Sequence, residues 1–425
     1  MHNTLRQSHG RWPHRHDLEP TQWDRSSDLR GERQTRQRSL PQPGRVESSM
    51  SGSQTIDREA MRKGLQAWLR QKFADLGDLT LSPLRFPSGT GNSAETMFAT
   101  MAYEADGEHR ERALVIRRQL AGTDLFLDAD IRLPHRMMEA LALHPHIPAP
   151  RALGVEPDPA PIGSPFLVME AIEGRVVDQV PNYNVEGWLA DLPIEQRREI
   201  WLRAIGTLAR LHRIDWRQGF SFLDDRQRGE PGIDQFLAWT RDWYIWAKAG
   251  RRLEVADAAL DYLMANKPRD TDVSVLWGDP TPANMMFGPD LSVAALIDFE
   301  MASLGPGEAD LAWWLEAEEN FSTLSGVARL EGLPSRAEII AHYEAERGRP
   351  VADLDYYSML AWFRMNIVGI RFSDRLVGEG RMPAGTDVLT NNPATMLMAR
   401  KLGMPDASPG EGFMAMVNGM AGAGA

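Results

Sequence analysis

The chain has 425 residues, 43% of them hydrophobic, enough for one large or two medium domains with a substantial core. It contains no cysteine, which excludes disulfides, thiolate catalysis and cysteine-held metals. Its formal charge of −12 argues against a nucleic-acid surface, which needs a basic face. With no apolar run of roughly eighteen residues, no membrane span is expected, and the lack of cysteine fits a cytoplasmic protein.

Residues 1–54 are rich in Arg, Gln, Ser, Pro and His, and nine Arg against six acids leave this segment at +3. It is expected to be a disordered extension without the apolar stretch of a secretory signal. Met50 begins a more ordinary sequence, so residues 1–49 need not belong to the native protein. Met61, Leu65, Trp68, Leu69 and Phe73 share one helical face, which predicts a helix over 57–76. Short β-like runs follow at 79–86, 96–103 and 113–117, with a glycine turn, Ser88-Gly89-Thr90-Gly91-Asn92-Ser93, after the first. Small residues in such a turn let backbone amides approach a phosphate, although glycine turns also join many ordinary hairpins. A strand is expected at 165–172. Beyond Pro193 helical patterns dominate, at 200–212, 236–246, 339–343 and 356–372. The tail after Gly403 is rich in Gly, Ala and Met and is expected to be flexible.

The densest signal is Trp277-Gly278-Asp279-Pro280-Thr281-Pro282-Ala283-Asn284, followed by Ile297-Asp298-Phe299-Glu300. Apolar runs at 273–276, 285–287 and 293–297 read as strands, with a turn at Gly288-Pro289-Asp290 between the last two. They aim Asp279, Asn284 and Asp298 at one point. Phosphoryl transfer from ATP needs such a set: one Asp for the acceptor hydroxyl, and an Asn and a second Asp for Mg2+. Asp and Asn also shape turns without any chemistry, but three at this spacing are hard to explain that way.

At these residues the chain resembles the aminoglycoside phosphotransferase-like family, in a branch related to the kinase-like domain of some acyl-CoA dehydrogenases. The family's usual loop begins His-Gly-Asp, and here Trp277 replaces the His. The likeness continues through Ala302–Pro306 and Glu308–Trp313, and spans roughly residues 79–402. It implies an α+β, bilobal protein-kinase-like fold with a small β-rich N-lobe at 55–172 and a larger, mainly helical C-lobe at 173–402. It further implies that Asp279 is the catalytic residue, that Asn284 and Asp298 hold Mg2+, and that ATP is held by Ser88–Ser93 and Arg117. The hinge residues Met169, Glu170 and Ile172 would then border the adenine. Glu139 on the intervening helix is a poorly placed partner for Arg117, and Asp310 is expected to brace the loop. His212 is expected to pack at a helix end near it.

The reading is therefore an ATP-dependent phosphotransferase acting on a hydroxyl of a small molecule, since no Ala-Pro-Glu activation segment occurs. Trp- and Met-rich helices around Trp239, Trp243, Trp313, Trp362 and Met365 favour a hydroxylated acyl or other apolar acceptor. An aminoglycoside-type antibiotic kinase is the alternative, with Glu316, Glu318 and Glu319 attracting a polycation. A non-catalytic nucleotide-binding protein on the same fold is a further rival, and intact Asp279, Asn284 and Asp298 speak against it. A hydrolase using His212 would be expected to carry a Gly-x-Ser-x-Gly elbow, which does not accompany these residues.

Overall fold

The computed structural model describes residues 57–87, 94–120, 125–269, 271–385, 388, 390–405 and 410. The extension at 1–54, the glycine turn Ser88–Ser93 and most of the tail lie outside the described residues. The first helix, α1 (Arg58–Lys72), starts where the Asp57 side chain accepts from the amides of Glu59 and Ala60. Met61, Leu65 and Leu69 form its buried stripe, and it ends four residues before the expected Leu76.

Five antiparallel strands follow: β1 (Gly77–Leu81), β2 (Ala94–Ala105), β3 (Glu108–Gln119), and then β4 (Ala152–Glu156) and β5 (Phe166–Glu170), after α2 (Arg132–Ala142). Their order in the sheet is β1-β2-β3-β5-β4. The expected run at 79–86 is shorter than predicted. Pro83 interrupts it, and beyond Leu81 only Arg85 bridges to Phe98. β3 is central, and Arg117 in it pairs with Thr96 of β2 and Leu167 of β5.

The larger lobe is helical: α3 (Ile194–Leu211), α4 (Ile233–Lys248) and α5 (Glu254–Ala265). Four short strands come next, β6 (Ser274–Leu276), β7 (Met285–Phe287), β8 (Val293–Leu296) and β9 (Ser303–Gly305). The chain then runs through α6 (Gly307–Asn320), α7 (Arg336–Arg347), α8 (Leu354–Gly378) and α9 (Pro393–Lys401). Helix α7 has a full capping box between Ser335 and Glu338, and left-handed Gly348 ends it. β7 and β8 form the expected hairpin. β6 does not join it, but pairs antiparallel with β9, which was not foreseen from the sequence.

Two apolar cores meet at the segment after β8. Phe299 packs in one with Trp201, Trp277 and Met285; Met301 packs in the other with Phe236, Trp243 and Tyr357. Asp298 and Glu300 flank Phe299 on this seam, so their positions are fixed from both sides.

Candidate active site

The 277–284 loop is held by its backbone. Gly278 sits at φ +92, and a Cβ there would lie 2.1 Å from the carbonyl oxygen of Met301. No side chain fits, and the left-handed conformation favours glycine independently. Asp310, at the start of α6, accepts from the amides of Trp277 (2.7 Å) and Gly278 (3.1 Å). Its carboxylate is fully buried and lies 3.2 Å from Nε2 of His212, whose Nδ1 lies 2.6 Å from the Tyr343 hydroxyl. Arg347 donates to that hydroxyl (2.8 Å) and pairs with Glu308 and Asp272. His212 thus belongs to a buried network under the loop, and Asp310 is the brace.

Trp277 has zero exposure, and its Nε1 donates to the Ile297 carbonyl at 2.9 Å. The indole ties the loop to the residue before Asp298. This is a structural use of the position where the related loop has His.

Asp279 and Asn284 meet directly, and Asp298 lies near enough for its charge to act on Asp279. Asn284 closes a single 3₁₀ turn (Pro282–Asn284), and its Nδ2 donates to Asp279 Oδ2 at 3.0 Å. Trp313 Nε1 donates to the other oxygen, Oδ1, at 2.8 Å. Burial pushes the Asp279 carboxyl up to about 6, with the nearby negative charge of Asp298 adding to it. The donors Trp313 and Asn284 and the cation Arg364 oppose that rise. Asp298 adopts φ +66, uncommon for a residue with a side chain, and is steered there by the seam around Phe299.

Arg117 reaches down from β3 to Glu300 Oε1 at 2.7 Å and to Asp298 Oδ1 at 3.4 Å. Its acidic partner is therefore Glu300, two residues past Asp298. Glu139 instead meets His135 on its own helix at 3.1 Å, because the helical i,i+4 spacing brings those two together. Arg118 points to the opposite face and pairs with Glu95 (2.7 Å), as strand alternation requires. A small cleft is lined by Arg117, Leu167, Met169, Asp298 and Glu300 among others. So Arg117, Met169 and Asp298 come together. Glu170 and Ile172 do not line that cleft, and Glu170 is engaged by Arg112 at 2.7 Å.

Two contributors escaped the sequence reading. Trp313 was foreseen only as an apolar wall, yet it donates to Asp279. Arg364 of α8 was not foreseen at all. Its guanidinium is buried between the rings of Phe236 (4.7 Å) and Trp313 (5.1 Å), and Nη2 donates to the Gly278 carbonyl at 3.3 Å. Burial lowers its pKa to about 10, so it remains a cation. The signal available in the sequence was an Arg inside an apolar helical pattern, a position that the structure buries to 1% exposure.

Two of the three acids in the α6 run are engaged within the fold, while Glu319 is exposed. Glu316 is buried and accepts from Ser358 (2.6 Å), Trp362 Nε1 (2.6 Å) and Arg336 (2.8 Å). Glu318 is buried against Arg329 at 2.7 Å. Both carboxylates are consumed by the fold. Trp243 is core, with Nε1 bound to the Leu125 carbonyl (3.0 Å), whereas Trp239 lines a cavity.

A β lobe delivering a guanidinium onto an Asp-x-Glu pair, above an Asp and Asn on a braced loop, defines a kinase-like phosphotransferase. Residues 102–350 match the phosphotransferase enzyme family, and the chain belongs to it. Among curated proteins the chain is similar to acyl-CoA dehydrogenase family members. The chain is 28% identical over 265 residues to acyl-CoA dehydrogenase family member 10 of Mus musculus, covering 60% of this chain and 24% of that protein. It is 24% identical over 322 residues to acyl-CoA dehydrogenase family member 11 of Homo sapiens, covering 71% and 38%. The chain thus spans well under half the length of these relatives. A crystal structure from Ralstonia eutropha, described as a candidate aminoglycoside phosphotransferase, shares the fold at a TM-score of 0.54. It is 21% identical, with 84% of this chain and 97% of that chain covered. No helix among the described residues is long and apolar enough to cross a membrane.

Proposed function

We propose that this protein moves the γ-phosphate of ATP to a hydroxyl of a small molecule with an apolar part, in the cytoplasm. The observation that carries the reading is the Asp279 carboxylate, held by Trp313 and Asn284 within a family of phosphotransferases. Its pKa near 6 leaves it mostly ionised at neutral pH yet basic enough to take a proton. Asp279 orients the acceptor hydroxyl and receives its proton as the new bond forms. Arg117, and the amides of Ser88–Ser93 in this reading, position the phosphates, and of the expected hinge residues Met169, which lines the cleft, borders the adenine. Most of the acceleration comes from positioning and charge neutralisation.

Asn284 and Asp298 would hold Mg2+. Their donor set fits that ion: Asn284 spends its Nδ2 on Asp279, which leaves its carbonyl oxygen, and Asp298 adds a hard carboxylate. When bound, the ion would supply charge neutralisation on the phosphates.

An apolar acceptor is favoured over a polycation because Glu316 and Glu318 are buried and already paired. A screen of hydroxylated metabolites, read by ATP consumption and by gain of one phosphoryl mass, tests the proposal. Hydroxyacyl compounds should stimulate turnover and kanamycin should not. Kanamycin turnover at micromolar KM with inert hydroxyacyl compounds would reverse the acceptor assignment. No ATP consumption with any hydroxyl compound would favour a non-catalytic nucleotide-binding protein.

A further inference from the structure

Two acids and one cation meet where the sheet lobe faces the segment after β8. Arg117 Nη2 lies 2.7 Å from Glu300 Oε1 and 3.4 Å from Asp298 Oδ1. Only the first is a short, charge-assisted contact. Both of its ends are rigidly held. Arg117 leaves the central strand β3 between its partners in β2 and β5, and Glu300 stands between Phe299 and Met301, each packed in a different core. The two side chains are 13% and 19% exposed, so the pair is largely out of water. Removing one partner would leave the other charge desolvated and unanswered.

Helix α2 has no acid to offer in its place. Glu139 is the one acid of that helix, and it is more than half exposed and tied to His135 at 3.1 Å. Asp298 is given to Mg2+ in the proposed site, which leaves Glu300 as the acid that holds Arg117 when the site is loaded. A guanidinium carries five N–H donors in a fixed fork, so it can hold a carboxylate and a phosphate together. The anchor of the cation and the metal-binding acid then lie two residues apart on one segment. The position of Arg117 follows that segment and not α2.

We propose that Glu300 is the positioning residue for the phosphate-binding guanidinium: through Oε1 it holds Arg117 over the site of the ATP phosphates. The inference rests on the nucleotide-binding reading given above. A long side chain without an anchor spreads over several rotamers, and the triphosphate must then meet the entropy of ordering it. The Glu300 charge by itself opposes phosphate binding. Neutralised within the ion pair, it costs less than the ordering of Arg117 gains.

The test is calorimetric titration of the full chain with Mg2+·ATP and with adenosine, in a double-mutant cycle. Arg117→Met and Glu300→Gln should each weaken Mg2+·ATP about tenfold and leave adenosine unchanged, and the double variant should be no worse than Arg117→Met alone. Glu300→Asp, which keeps the charge, should lose less than Glu300→Gln, and Glu139→Gln should match the wild type. If Glu300→Gln does not fold, the cycle is run with Glu300→Asp, whose smaller loss should likewise vanish beside Arg117→Met. Additive losses would overturn the proposal, because a merely structural Glu300 would weaken binding whether or not Arg117 is present. Tighter ATP binding by Glu300→Gln would overturn it as well, since Glu300 would then compete with the phosphates for Arg117. ATP binding indifferent to Glu300 fails the proposal alone, whereas a wild-type chain that binds no ATP fails the nucleotide reading on which it stands.

Discussion

Trp313→Phe isolates one hydrogen bond at the heart of the proposed reaction. Phenylalanine keeps a ring against Arg364 but removes the Nε1–H that lies 2.8 Å from Asp279 Oδ1. A hydrogen bond to a charged group contributes about 1.5–3 kcal/mol, and one pKa unit corresponds to about 1.4 kcal/mol. Asn284 still serves the other oxygen, so the low end applies, and the Asp279 pKa should rise by about one unit from its value of about 6. The donor stabilises the carboxylate, so its loss moves the pKa upward. At pH 6 the ionised fraction then falls from about one-half to about one-tenth, a fivefold loss of kcat/KM; at pH 7 the loss is about twofold, and by pH 9 it vanishes. Initial-rate measurements from pH 5 to 9 read the shift directly. An acidic limb that stays in place or moves down would refute the account of Asp279, and a pH-independent loss would mean Trp313 acts only through packing.

Asp279→Asn should abolish transfer while leaving fold and ATP binding intact, as activity and nucleotide titration would show; near-normal turnover would dismiss Asp279 as the proton acceptor. The same variant should flatten the pH dependence of Tm between about pH 4 and 6. The folded state holds the Asp279 proton up to about 6 against an ordinary 3.8, so ionisation in that window destabilises the wild type. Asp298→Ala should weaken ATP affinity much more with Mg2+ than in EDTA; equal losses would point to misfolding. Gly278→Ala should cost more than about 2 kcal/mol in chemical denaturation, because it combines a positive φ with a contact of 2.1 Å to the Met301 carbonyl. Arg364→Leu should shift the acidic limb upward like Trp313→Phe, since it removes a cation that lowers the Asp279 pKa, and a pH-rate profile would detect it.

The readable part of the site is the part that is local in sequence. Asp279, Asn284 and Asp298 lie within one strand-loop-hairpin unit, whose turn and apolar runs show in a short window. The second layer comes from far away. Trp313 is 34 residues beyond Asp279, and Arg364 is 86 beyond the Gly278 carbonyl it meets. Helical periodicity reports that such residues face inward, but not which loop lies opposite. Arg117 shows the same boundary. Its strand and direction could be read from alternation, but its partner could not. A helix register decides whether Glu139 or a residue after Asp298 receives the guanidinium, and here Glu139 turned to His135.

Charge counted along a sequence is not charge presented to a ligand. The run Glu316, Glu318 and Glu319 looks like a cluster built to attract cations, and the whole chain carries −12. Yet the carboxylates of Glu316 and Glu318 are buried and paired with Arg336 and Arg329, and burial raises the pKa of Glu318. Desolvated carboxylates must be matched from within, so helix α6 answers its acids with residues of the chain that follows it. The two α6 carboxylates therefore report on how the helix is packed and not on the charge of an acceptor.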